Sequence, residues 1–251
     1  MTAALLALAD SRLPAGGHTH SGGVEQAIVA GLVHDPRSLE VFLRRRLVTS
    51  GAVAAGAAAA AAREGGGAPA DRRAGWARID AETDARTPSP ALRRASRQQG
   101  RGLVRVGRRA WPAAVWDDLP DRPHHPLALG VAAVAAGLGP DDAARAAAYL
   151  AVTGPATAAQ RLLAMDPITV ATVTARLGDE VDRVAAATST TSTGISSRTP
   201  PGTSPGTSTG VSTGTTDGDG RDPDWLPADT DPLLDLLAEV HADRGDRYFA
   251  S

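Results

Sequence analysis

Between Pro14 and Glu25 the chain gathers His18, His20 and Glu25 beside two glycine pairs, Gly16-Gly17 and Gly22-Gly23. Imidazole and carboxylate together suit nickel or zinc, and His124 and His125 could add to such a ligand set. The spacing does not compel a metal, because there is no HExxH pattern, no acidic cluster and no cysteine. The competing reading is structural: one histidine makes a buried hydrogen bond, the other is exposed, and Ser21 caps the helix that follows. Glycines ahead of a helix also look like a phosphate cradle, yet the lysine and Ser/Thr of a P-loop are missing, so nucleotide binding is rejected. Ordering four glycines is costly, which suits unusual dihedrals or a very close approach by another backbone. The loop is therefore either a binding surface or a packing joint, and no catalytic residue, metal ligand or bound cofactor is assigned. A small metallo-hydrolase using His18, His20 and Glu25 is the alternative.

A second set is the row Arg93, Arg97, Arg101, Arg105 and Arg109, spaced four residues apart. Steps of four advance about 40° beyond a full turn, so the row winds round a helix as a basic stripe. Its four like-charge pairs cost roughly 0.2–0.5 kcal/mol each, about 1–2 kcal/mol together, unless carboxylates answer them. Asp80, Glu82 and Asp84 are candidates within the chain, and a partner protein is another. No aromatic residues interleave the stripe, which argues against nucleic acid. Arg161 stands in an otherwise apolar segment and is expected to be paired internally, since burying a lone cation is expensive. The run Arg247-Tyr248-Phe249-Ala250-Ser251 combines a cation with two aromatics, the composition of a partner anchor. No Ser/His/Asp spacing points to a nucleophile elbow.

These residues must be positioned by helices. Asp35-Pro36, Ser89-Pro90, Asp166-Pro167 and Asp231-Pro232 each place a side-chain acceptor at an N-cap and proline at the first helical position. Apolar periodicity then predicts a helix from Asp35 that runs past Gly51 to Arg63, then helices over 71–86, 91–110 and 127–136. Further helices are expected over 141–152, 156–165, 168–186 and 233–242, with a proline-rich joint over 112–126. No alternation of period two appears, so the chain reads as all-α, one bundle of roughly nine to ten helices. Residues 1–187 form the body, and 188–222, rich in Ser, Thr, Gly and Pro, read as a disordered linker. Residues 223–251 then supply a C-terminal helix and tail.

The 251 residues carry a net charge of −2 and are 42% hydrophobic but only 3% aromatic, with alanine, leucine and valine filling the core. Near-neutral charge gives no global pull toward nucleic acid or acidic membranes. Residues 1–9 lack the basic flank of a secretory signal, and the apolar runs over 52–62 and 127–138 are too short to span a bilayer. A cytoplasmic protein is expected.

In order along the chain, five segments resemble the urease accessory protein UreF family. They are Leu6 to Glu25, Ala95-Ser96-Arg97-Gln98-Gln99-Gly100-Arg101, His124-His125-Pro126 with Gly130, Arg161-Leu162 with Asp166-Pro167, and the closing Arg-x-Phe-x-Ser. The chain differs from the family pattern at His18, Val24, Gln160 and Tyr248, and in its 188–222 insertion. The resemblance implies a non-enzymatic helical homodimer that bridges UreD (also called UreH) and the GTPase UreG. Nickel would be handled by that complex on its way to apo-urease and not held tightly by this subunit. It also implies that Gly17, His18, His20, Ser21 and Glu25 of the loop and Arg247, Tyr248 and Phe249 of the tail lie on partner-facing surfaces. Arg97 and Arg101 would contact a partner or support the dimer.

Overall fold

The computed structural model describes residues 2–10, 13–15, 17–190 and 226–249. Among them the regular structure is helical: α1 (Ala3–Leu8), α2 (Val24–Val29), α3 (Pro36–Arg46), α4 (Ala52–Glu64), α5 (Pro69–Ala85) and α6 (Pro90–Ala110) come first. They are followed by α7 (His125–Ala135), α8 (Pro140–Leu162), α9 (Pro167–Arg176), α10 (Gly178–Thr190) and α11 (Pro232–Asp243). All four Asp/Ser-Pro starts are capped as the sequence predicts. Asp35, Ser89, Asp166 and Asp231 accept from the backbone N–H of Ser38, Leu92, Thr169 and Leu233 at 2.7, 3.2, 2.9 and 3.1 Å.

At the centre stands α4, packed against α5, α7, α8 and α10. Its residues Ala55 and Ala57 to Ala61 are almost wholly removed from water, as are Leu127 to Ala133 of α7. Helices apolar on every side belong in a core, and alanine lets them approach closely. At Gly130 a Cβ atom would stand 2.4 Å from the Ala58 carbonyl oxygen, so α7 and α4 cross with no room for even alanine. Trp76 of α5 is fully buried against the same helix and donates its indole N–H to Ala61 O at 2.9 Å.

The chain from Pro36 to Glu64 is continuous, as expected, but passes through one π-helical turn, Leu47–Gly51, before α4. Two other expectations are corrected. The helices expected over 141–152 and 156–165 are one helix, α8, with Pro155 inside it. Proline lacks the N–H that should reach Ala151 O, and Arg46 Nε–H fills that acceptor at 3.2 Å. Removal from water pushes the Arg46 pKa down to about 10, which leaves it cationic at neutral pH. Conversely, the single helix expected over 168–186 is split into α9 and α10 at Leu177, whose side chain is wholly buried at the break.

The expected linker also starts later than its composition suggests. Thr188, Ser189 and Thr190 form the last turn of α10, where their hydroxyls bond back to carbonyls three and four residues earlier. Arg63 Nη2 further donates to Ser189 O at 2.7 Å. Residues 191–222, the rest of that expectation, lie outside the described residues. Leu226 is buried, and Leu226 with Pro227 packs against Gly56 of α4, which brings α11 to the edge of the bundle beside α2 and α6. No described helix is long and apolar enough to cross a membrane.

Candidate protein-docking site

The glycine loop ends in two left-handed residues, Gly22 at φ +62° and Gly23 at φ +88°, a conformation that L side chains rarely adopt. The unusual dihedrals expected of these glycines are present at this pair, whereas the close neighbour is a side chain and not a backbone: a Cβ on Gly22 would lie 2.7 Å from Pro155 Cγ, and one on Gly17 would meet nothing within 4 Å. Gly23, not Ser21, occupies the N-cap of α2, and Ser21 is buried, its carbonyl accepting from Val24 N–H at 3.3 Å. This turn sends Glu25 inward, where it is 2% exposed.

Both oxygens of Glu25 are committed to the C-terminal segment. Oε2 pairs with His241 Nε2 of α11 at 2.9 Å and accepts from Phe249 N–H at 3.0 Å, while Oε1 accepts from Tyr248 N–H at 2.7 Å. Next to it Arg244 Nη1 donates to Gln26 Oε1 at 3.2 Å, and Arg247 Nη1 caps the end of α11 through Ala242 O at 2.6 Å. One buried carboxylate thus fastens a tail 223 residues away in sequence. His241 is 1% exposed and continues the buried stripe of Leu234 and Leu237, a helical spacing visible in the sequence but overlooked as a site.

The fastened tail borders a groove of about 540 Å³ lined by Thr19, Arg161, Leu162, Tyr248 and Phe249. Tyr248 is 87% exposed, Phe249 is half-buried, and Arg247 and Gly17 are exposed. His18 belongs to the 3₁₀ turn Gly17–Thr19 of the same loop. Arg161, expected to be paired internally, is instead exposed and makes no ion pair among the described residues. The end of α8 reaches solvent where the tail passes, so the guanidinium stays hydrated and needs no internal partner. His20, Ser21 and Glu25 also depart from expectation: all three are buried within the chain and offer no surface to a partner. The committed oxygens of Glu25 likewise undercut a metallo-hydrolase at this loop. Among the described residues no group of three or more His, Asp or Glu side chains could hold a metal ion.

A second polar cluster joins α5, α6 and α7. Arg97 donates to Asp80 Oδ2 at 2.9 Å and Asp84 Oδ2 at 2.6 Å, and Asp80 Oδ1 accepts from His124 N–H at 2.8 Å. His124, wholly buried, lies between Asp84 Oδ1 at 2.7 Å on Nε2 and Ser96 Oγ at 3.0 Å on Nδ1. A carboxylate only accepts, so Nε2 carries the hydrogen and Nδ1 accepts a hydrogen bond from the Ser96 hydroxyl. Burial lowers the His124 pKa more than Asp84 raises it, which keeps the ring neutral at neutral pH. Burial opposes ionisation of Asp84, but hydrogen bonds from His124 and Arg97 prevail and hold its carboxyl below the usual range. The row Ser96–His124–Asp84 superficially matches a hydrolytic triad that the sequence did not suggest. Ser96 Oγ is held on its other side by His125 N–H at 3.1 Å, so the row staples three helices. Arg97 belongs to this staple and not to a free basic surface, whereas Arg101 is exposed.

His125 borders a separate cavity of about 170 Å³ under α11, with Arg46, Gly22, Ser96 and Asp231 among its walls. Burial, and then the neighbouring His20, push its pKa from 6.5 down to about 4. A histidine lowered in the folded state is neutral there, so its contribution is complete above pH 6.5 and is lost as pH falls toward 4. Between pH 7 and pH 5 the chain is expected to lose up to about 2 kcal/mol of stability through this residue, an upper bound because His125 keeps partial exposure. Urea midpoints at the two pH values measure it, and His125→Gln should flatten the dependence. A slope unchanged by the substitution contradicts the assignment.

Three of the segments that carried the resemblance, the glycine loop, Arg161-Leu162 and the tail, therefore meet at one groove. The family model for UreF matches residues 33–178, more than half of the chain. The chain belongs to the UreF family. It is similar to the urease accessory protein UreF of Mycolicibacterium vanbaalenii, 47% identical over 249 residues, which cover 99% of this chain and 98% of that protein. The Mycobacterium marinum protein of the same name is 45% identical over 251 residues, covering 99% and 98%. That of Mycobacterium bovis is 48% identical over 185 residues, covering 73% of this chain and 83% of its own. The expected family and all-α class are thus both found, and the similarity to the first two relatives runs through the glycine loop and the tail as well as the matched body.

Proposed function

We propose that this UreF-family chain is the non-enzymatic bridging subunit of urease maturation. In this reading it works in the cytoplasm as a homodimer that holds UreD (UreH) and the GTPase UreG together while nickel passes, as cargo, to apo-urease. The supporting observation is the tail groove. Tyr248 and Arg161 project from it, Arg247 is exposed beside it, and the backbone beneath is fixed by buried Glu25. Tyrosine and arginine on a fixed support are the residue types that dominate interface energies, because their ordering cost is already met.

Deleting Arg247 to Ser251 removes the exposed anchors while leaving His241 and the helical core in place. The expected result is unchanged helical circular dichroism with loss of UreD and UreG on co-purification from co-expressing cells. Assembly equal to that of the full chain rules out the tail as the anchor. A full-length chain that purifies alone when all three are co-expressed rules out the bridging role itself.

A further inference from the structure

The arginines of α6 are not one row in the fold. Arg93 is half-buried and donates to Thr87 O and Pro88 O at 2.7 and 3.0 Å, and Arg97 is consumed by Asp80 and Asp84. Arg94, Gln98, Arg101, Arg105, Arg108 and Arg109 are exposed instead. At 3.6 residues per turn these six positions fall within an arc of about 100° and extend along about 22 Å of helix. Only Arg108 of this face is ion-paired among the described residues, to Asp117 at 2.6 Å, itself 71% exposed. A chain with a net charge of −2 thus concentrates five cations on one helix face.

Away from this arc α6 is pinned at Gly100 and Gly107, and at the edge of the arc it is pinned at Gly102. A Cβ on Gly100 would stand 2.0 Å from Pro123 O, one on Gly102 would stand 2.1 Å from Ala15 O, and one on Gly107 would stand 2.5 Å from the Trp116 ring. The helix therefore presents its arginines from a fixed platform, and the like-charge repulsion along them is left for an outside group to relieve.

We propose that this face docks a protein surface carrying a row of carboxylates, a contact separate from the tail groove and independent of the bridging role. Arg101, Arg105 and Arg109 rise in steps of about 6 Å, the spacing of acidic residues four apart on a facing helix. Guanidinium groups pair carboxylates in bidentate geometry. The exposed arc carries no aromatic side chain on which a base could stack, which favours protein over nucleic acid.

The test uses the full chain, a fluorescein-labelled peptide of repeated Glu-Ala-Ala-Ala, and a single-stranded oligonucleotide of equal charge. Binding is followed by anisotropy at about 20 mM salt, where exposed charges are least screened. The variant R101Q/R105Q/R109Q is compared with R37Q/R122Q/R183Q, which removes the same charge from exposed arginines elsewhere. The expected result is peptide binding weakened roughly fivefold or more in the first variant only, with a thermal midpoint equal to or above that of the parent. Equal peptide binding by both variants, no peptide binding by the parent, or tighter binding of the oligonucleotide than of the peptide each overturns the proposal.

Discussion

Glu25→Ala is expected to release the end of the C-terminal segment without unfolding the bundle. The carboxylate accepts from His241, Tyr248 and Phe249, and removing it leaves a buried imidazole and two backbone N–H groups with no acceptor there. Breaking a buried pair of this kind costs about 3–5 kcal/mol. That loss is local, because α11 keeps other attachments: Asp231 to Arg45 at 2.7 Å, Glu239 to Ala91 N–H at 2.8 Å, and the buried Leu226, Leu234 and Leu237. The open population of residues 241–249 should then rise by roughly a hundredfold or more. Trypsin cleavage after Arg244 and Arg247 reads this directly, and amide exchange at Tyr248 and Phe249 should accelerate while α4 and α7 stay protected. Glu25→Gln, which keeps one carbonyl acceptor, should fall between. Cleavage as slow as in the parent chain means the tail is held by something other than this carboxylate, and the groove at Tyr248 loses its support.

Local signals made most of the helices legible. A capping acceptor followed by proline is a short-range device that works through its own backbone, so all four such starts are realised. Breaks set by tertiary partners were not legible. Pro155 reads as a terminator, and only the distant Arg46 supplies the donor that lets α8 continue through it. Leu177 fits a helical stripe, and only the core position that takes its side chain bends the chain between α9 and α10. The serine and threonine content near residue 188 reads as linker, yet hydroxyls that bond back to the helix carry α10 to Thr190.

The candidate site was half legible for the same reason. Residue types mark the glycine loop and the aromatic tail as special, and the structure brings both to one groove. Composition cannot say which side of a loop faces inward; the resemblance put Glu25, His20 and Ser21 on a partner-facing surface, and they are buried. The partner of Glu25, His241, stands 216 residues away and carries only a weak mark, a polar residue on an apolar stripe. Spacing on α6 likewise suggested one row of five arginines. Helical geometry assigns Arg93 and Arg97 to the interior side and brings Arg94 and Arg108 onto the exposed one.

Asp80→Ala should be among the most damaging single changes in the body of the protein. Asp80 is 9% exposed and holds two groups at once, the His124 backbone N–H at 2.8 Å and the Arg97 guanidinium at 2.9 Å. Removing it leaves a fully buried N–H at the start of α7 and withdraws one of the two carboxylates that balance Arg97. The same range of about 3–5 kcal/mol applies, which for a chain of this length corresponds to a fall in thermal midpoint of roughly 10 °C. Asp80→Asn keeps an acceptor for the N–H but not the charge, so its effect should be smaller. Arg105→Ala, at an exposed position with no ion pair among the described residues, should stay within about 0.5 kcal/mol of the parent. A midpoint for Asp80→Ala no lower than that of Arg105→Ala shows that the staple is dispensable. The large fall carries a further consequence for α6. By pinning Arg97 and, through Asp84, His124, the cluster fixes the rotation of the helix and so decides which of its arginines remain outside.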